Sequence, residues 1–124
     1  MDSIKLIGTD DTPNVILDIE NNIFEISGRS MPEDVADFYQ SILDWMDNTL
    51  KKHEGKIIFT FKMNYFNTAS SKLILDILIR LEELFADGKD ITVHWYYEED
   101  DEDMMDAGEE YAEIVDVPFK IISK

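Results

Sequence analysis

Apolar residues recur along this chain in two rhythms, every second position in some stretches and every third or fourth in others. The first rhythm, or a short unbroken apolar run, predicts strands over residues 4–7, 15–19 and 23–28, with Phe24 and Ile26 on one face of the last. Between the second and third, Glu20-Asn21-Asn22 predicts a tight hairpin turn, because asparagine tolerates the positive φ that such a turn needs. Residues 9–14 have loop composition. Residues 56–66 and 91–97 are dense in β-branched and aromatic side chains, which predicts two buried strands, the first of them central. Residues 119–122, placed just after the helix-breaking Pro118, predict a last strand.

The second rhythm predicts three helices. Val35, Phe38, Tyr39, Ile42, Trp45, Met46 and Leu50 form one stripe, in a helix running from the Arg29-to-Asp34 region to Lys52 or His53. Ser30 as cap, Pro32 in the first turn and Glu33 three residues after Ser30 suggest a capping box at its start. Gly55 closes it. A second stripe joins Leu73, Ile74, Ile77, Leu78, Leu81, Leu84 and Phe85 over residues 73–85, and residues 87–90 close that helix. The third helix spans residues 102–115, with Met104, Gly108, Tyr111, Ala112 and Val115 inward. Strands separated by helices favour parallel neighbours joined by right-handed crossovers, and a leading hairpin makes the sheet mixed. The expected fold class is therefore α/β, with one domain over residues 1–124, an N-terminal hairpin and about three helices.

Charge sharpens this picture. Eleven Lys and Arg face 28 Asp and Glu, for a formal net charge of −17. A surface of that sign repels nucleic-acid backbones and anionic lipid and favours partners with basic faces, besides keeping the protein soluble. The 44% of apolar residues suffices for a core. No apolar run approaches a membrane span, and no membrane insertion is expected. Residues 1–5 lack the basic start and apolar stretch of a secretion signal, and the chain has no cysteine; together these suggest the cytoplasm.

Enzymatic chemistry finds little to work with. His53 sits among lysines at a helix end and His94 within a strand, neither near a recognisable nucleophile. There is no Gly-x-Ser-x-Gly, no phosphate-binding P-loop and no Gly-x-Gly-x-x-Gly. Asp10-Asp11 resembles a receiver domain's acidic pair, but Met63-Asn64-Tyr65 stands where the third-strand aspartate would be sought. The acidic run over residues 98–103 has three readings: a solvated helix cap, a partner-facing patch of Glu98, Glu99, Asp100 and Asp101, or a calcium or magnesium site. Counted from Asp101, the sixth position of an EF-hand loop falls on Asp106 rather than glycine, so no metal and no cofactor are expected.

The most informative stretch lies between the central strand and the second helix. Asn67, Thr68, Ser70 and Ser71 are small polar residues of the kind that open a helix, where unpaired N–H groups and a partial positive charge also suit a phosphate. Asn67 or Thr68 could be the cap. Thr68 is read as a phosphorylation switch, with Lys72 one turn on and able to reach back to a phosphate. Ser70 and Ser71 remain rival acceptors. Were Thr68 the cap, Thr68→Ala would lose about 1 kcal/mol.

Several motifs here resemble one known family. Phe24-Glu25-Ile26-Ser27-Gly28-Arg29-Ser30 followed by Pro32-Glu33-Asp34, then Tyr65-Phe66-Asn67-Thr68-Ala69-Ser70-Ser71-Lys72, then the stretch from Trp95 to Met104, are similar to the three motifs of the SiaC family of bacterial regulatory phosphoproteins. Gly108 to Tyr111 and Pro118-Phe119 continue the likeness. The resemblance implies a STAS-like fold, of the anti-sigma-factor-antagonist type, and places the family's phosphoacceptor threonine on Thr68. It also implies a partner-switching circuit: a serine/threonine protein kinase with a histidine-kinase-like fold adds the phosphate, and a metal-dependent phosphatase removes it. A diguanylate cyclase is the implied target, linking the chain to c-di-GMP signalling and biofilm control. Within that setting Arg29 and Tyr65 are candidate partner-binding residues. A protein-interaction domain without a switch, and a metal protein using the acidic cluster, are the alternatives.

Overall fold

The alternating segments pair side by side in the order in which they occur. In a computed structural model, which describes residues 3–124, a six-stranded sheet has the order β1 (Ile4–Leu6), β2 (Asn14–Asp18), β3 (Ile23–Ser30), β4 (Ile57–Phe66), β5 (Ile91–Tyr97) and β6 (Phe119–Ser123). Met1 and Asp2, which begin the stretch read above for a signal, lie outside the described residues. The first two pairings are antiparallel and the remaining three parallel. Asn22 takes φ 56° in the β2–β3 turn, as its residue type suggests.

Three helices connect the parallel strands: α1 (Val35–Asn48), α2 (Thr68–Ala86) and α3 (Glu102–Ile114). Each crossover steps one strand onward in the same direction, and right-handed crossovers of that kind set all three helices on one face of the sheet. Burial follows this geometry. Val15, Leu17, Ile26, Ile57, Phe59, Phe61, Val93 and Trp95 are fully buried towards the helices, whereas the residues between them on each strand stay half-exposed. Phe61 and Trp95 rings pack with centroids 5.4 Å apart, and Trp95 Nε1 donates to the Met104 carbonyl at 2.9 Å. Gly108 lets α3 approach this indole: a Cβ there would stand 2.7 Å from Trp95 Nε1.

Several boundaries differ from those the sequence predicts. Ser30 is not a helix cap. It ends β3, two residues beyond the expected limit, and is fully buried. The cap of α1 is Asp34, whose side chain accepts from the Asp37 N–H at 3.1 Å, so no capping box forms. That helix stops at Asn48, and a single 3-10 turn, Leu50–Lys52, carries the chain to His53. The second helix begins at Thr68, five residues before the stripe that announced it. Phe85, expected inward, is 38% exposed, and Ile7, expected in a strand, is 86% exposed.

Between Gly28 and Arg29 the register of β3 against β4 shifts, so that Met63 faces Gly28 and Tyr65 faces Arg29. Asn64 is the extra residue of this bulge. Gly28 takes φ +97° beside it, a conformation side-chain-bearing residues rarely adopt. Without the bulge, the alternation would turn Phe66 away from the core. With it, Phe66 packs on Trp95 and Tyr111, at centroid distances of 6.1 and 6.4 Å.

Candidate functional site at the start of the second helix

The carboxyl ends of the parallel strands and the amino ends of the helices share one edge of the molecule, the usual place for function in α/β sheets. Each helix there is capped by a side chain. Asp34 caps α1 and Asp101 caps α3, the latter accepting from the Met104 N–H at 3.0 Å. Both helices carry further acids in the first turn: Asp37 in one, Glu102 and Asp103 in the other. The second helix is different. Its cap is the neutral Asn67, whose Oδ1 accepts from the Ser70 N–H at 2.8 Å, and its first turn has no acid. Its partial positive charge is thus left uncompensated.

With Asn67 as the cap, Thr68 becomes the first helical residue, and it is exposed. Its hydroxyl makes no hydrogen bond among the described residues, and neither its N–H nor that of Ala69 is paired there. Lys72, one turn along the same helix, is exposed as well. Ser70 and Ser71, rival acceptors in the sequence, are otherwise occupied. Ser70 is fully buried; its Oγ donates to the Ser30 carbonyl at 2.9 Å and accepts from Ser30 Oγ at 2.9 Å. Ser30 Oγ lies 2.6 Å from the Tyr39 hydroxyl. Since the Ser70 proton is spent on a carbonyl and the Ser30 proton on Ser70, the proton between Tyr39 and Ser30 comes from Tyr39. The Asn67 N–H also bonds the Ser30 carbonyl, at 3.1 Å. Ser71 is half-buried, with its Oγ 2.9 Å from the Tyr111 hydroxyl, which in turn donates to the Ser71 carbonyl at 3.0 Å.

The first turn of α2 is therefore fastened from two sides. Tyr39 of α1 and Ser30 of β3 hold Ser70, and Tyr111 of α3 holds Ser71. Burial pushes the Tyr39 hydroxyl up to about 12, and burial raises Tyr111 above its ordinary value too, so both act as neutral donors. Their role was not visible in sequence, where both read simply as core positions on helical stripes. No local pattern announces a hydroxyl contact across 40 residues.

Arg29 and Tyr65 meet at the adjoining strand ends. The guanidinium lies 5.3 Å from the Tyr65 ring centroid, and Arg29 Nε donates to the Asp10 carbonyl at 3.3 Å. Both are solvent-exposed, Tyr65 at 44%. Glu98, Glu99 and Asp100 are exposed on the turn after β5, Glu98 pairing with Lys124 at 3.7 Å. Asp101 is set apart from them by its capping bond. Among the described residues, no three acids or histidines converge as metal ligands do. No helix among them is long and apolar enough to cross a membrane.

Comparison with known proteins bears on this arrangement. Residues 6–124 match the family described as SiaC family regulatory phosphoprotein. An uncharacterized protein of Pseudomonas aeruginosa (strain UCBPP-PA14) is 28% identical over 121 residues, covering 98% of this chain and 96% of that one. Among solved structures, SiaC of Pseudomonas aeruginosa superposes with a TM-score of 0.91 at 27% identity, over 100% of both chains. The chain is equally similar, at TM-score 0.92 and 27% identity over 98% of this chain and 99% of the other, to SiaC in complex with the diguanylate cyclase SiaD, of which that SiaC is the activator.

Proposed function

Because the chain belongs to the SiaC family of regulatory phosphoproteins, we propose that it is a partner-switching adaptor, gated by a phosphate on Thr68 and without catalytic activity of its own. The observation that carries this reading is the division of labour at the start of α2. Asn67 does the capping, Ser70 and Ser71 are tied into the structure, and Thr68 alone of the four presents a free hydroxyl.

A phosphate on Thr68 adds about −1.5 to −2 charges and strong acceptor oxygens. The helix tolerates it, because the unpaired N–H groups and the uncompensated dipole end favour an anion there. Lys72 sits one turn along, within reach of it. The helix thus stays folded, and the change is felt by whatever docks on that edge. A partner surface fitted to neutral Thr68, Tyr65 and Arg29 meets a dianion it must desolvate. The carboxylates Glu98, Glu99, Asp100 and Asp101 on the neighbouring turn add to the negative field and favour a basic partner surface.

The partners in this reading are a kinase with a histidine-kinase-like fold, a metal-dependent phosphatase and, by analogy with the SiaC–SiaD complex, a diguanylate cyclase. The setting is the cytoplasm, and the output is c-di-GMP level and hence biofilm control. Calorimetry with the cyclase encoded in the same genome tests it. Thr68→Ala should bind as the unmodified protein does, and Thr68→Glu and kinase-treated protein should bind more weakly. Equal affinity for all four forms would favour an interaction domain with no switch. With Asn67 as cap, Thr68→Ala should change stability by no more than about 0.5 kcal/mol, the usual range for exposed sites, rather than the larger loss expected of a cap.

A further inference from the structure

The face of the sheet turned away from the helices has no layer over it among the described residues. Sheets that are parallel throughout are ordinarily covered on both faces, and the β3-to-β6 part of this one is parallel. One row of side chains crosses this face through all six strands, in the order Lys5, Ile16, Glu25, Thr60, His94 and Lys120. The next row carries Lys62, whose ammonium lies 5.1 Å from the Tyr96 ring centroid and 3.3 Å from Glu25. Lys56 and Lys120 lie close enough to His94 that their charges, after burial, help hold it below its ordinary value.

This face is free of the acidic excess that covers the rest of the molecule. It holds Lys5, Lys56, Lys62, Lys120 and Lys124 against Asp18, Glu25, Asp90 and Glu98, a near-even balance in a chain whose formal net charge is −17. Its centre is half-buried and largely apolar or aromatic: Ile58, Thr92, His94, Tyr96 and Ile122. Lys62 on β4 and Lys120 on β6 are two strands apart, about 10 Å, which is about the width of one helix. An apolar floor within a charged rim is the anatomy of a protein interface.

We propose that this face docks one amphipathic helix of a partner protein, seated along β5, aliphatic on the side it buries and carrying Asp or Glu on both flanks to meet Lys62 and Lys120. Charge complementarity selects this occupant. A second copy of the chain would bring the same lysines face to face and another large negative charge. A nucleic acid would be repelled by the molecule as a whole. The proposal is independent of the Thr68 switch.

The test is a titration of the 15N-labelled full chain, followed by NMR at physiological salt. Three probes are used: a designed 18-residue Leu/Glu amphipathic helical peptide, the same peptide with Lys for Glu, and a single-stranded oligouridylate. The Leu/Glu peptide should shift the amides of Thr60, His94, Tyr96 and Ile122 saturably, equally in Thr68→Ala. Lys120→Glu, at an exposed edge position, should weaken binding about tenfold, and adding Lys62→Glu should weaken it further, each variant keeping a dispersed spectrum. Unmoved face amides at millimolar peptide would overturn the proposal. So would equal shifts with the Lys peptide, shifts with the oligouridylate, or face amides that depend on protein concentration alone.

Discussion

Breaking the buried hydroxyl chain link by link should give a defined order of losses. The Tyr39 hydroxyl donates to Ser30 Oγ, Ser30 Oγ donates to Ser70 Oγ, and Ser70 Oγ donates to the Ser30 carbonyl. All three residues are fully buried, so water offers little replacement. Tyr39→Phe removes the first donor and leaves every remaining proton with its acceptor, for a loss of about 1 kcal/mol, one ordinary hydrogen bond. Ser70→Ala removes two bonds and orphans the Ser30 proton, while the Ser30 carbonyl keeps the Asn67 N–H; about 2 kcal/mol is expected. Ser30→Ala also removes two, and leaves the Tyr39 hydroxyl sealed in the core with nothing to donate to, so about 3 kcal/mol is expected. Urea unfolding with linear extrapolation measures the series, with the slope held unchanged as the sign that only stability has moved. A Tyr39→Phe loss equal to or larger than that of Ser30→Ala would refute the direction assigned to the protons.

Three further outcomes follow from packing and charge. Gly108→Ala should cost about 1–3 kcal/mol by overpacking, because the new methyl meets the rigid Trp95 indole rather than a flexible chain end; thermal unfolding reads it. His94 should titrate below its ordinary value by proton NMR, and Lys120→Gln should raise its midpoint. Because the unfolded chain takes up that proton first, its contribution to stability declines as pH falls below about 6.5. Tyr39, raised to about 12 by burial, should be among the last phenols to ionise in an ultraviolet titration. Its ordinary value is about 10, so the stability it contributes is lost as pH climbs between the two, and Tyr39→Phe should flatten that alkaline decline.

Much of the fold could be read from periodicity. All six strands and three helices occur where the alternation and the stripes put them, because burial on one side only imposes those rhythms. What escaped lay at the junctions. Ser30 carried a plausible helix-start pattern with Pro32 and Glu33, but the pairing of Ser30 with Phe66 kept the strand going and passed the cap to Asp34. The bulge at Asn64 had no signature beyond Gly28 on the partner strand. At the start of the second helix, composition narrowed the cap to a few small residues. It could not tell the cap from the hydroxyl left unbonded, because that depends on which hydroxyls meet Tyr39 and Tyr111 from helices distant in sequence.

The strand order has a consequence for how the chain is made. Each strand lies beside the one translated just before it, and no later segment must be threaded between earlier ones. The sheet can grow by accretion at one edge as the polypeptide leaves the ribosome, the hairpin first and β6 last. Loop-closure entropy is then met in short instalments. A chain released before residue 119 would present the open edge of β5, with Trp95 and Tyr97 along it, as the template for the missing strand.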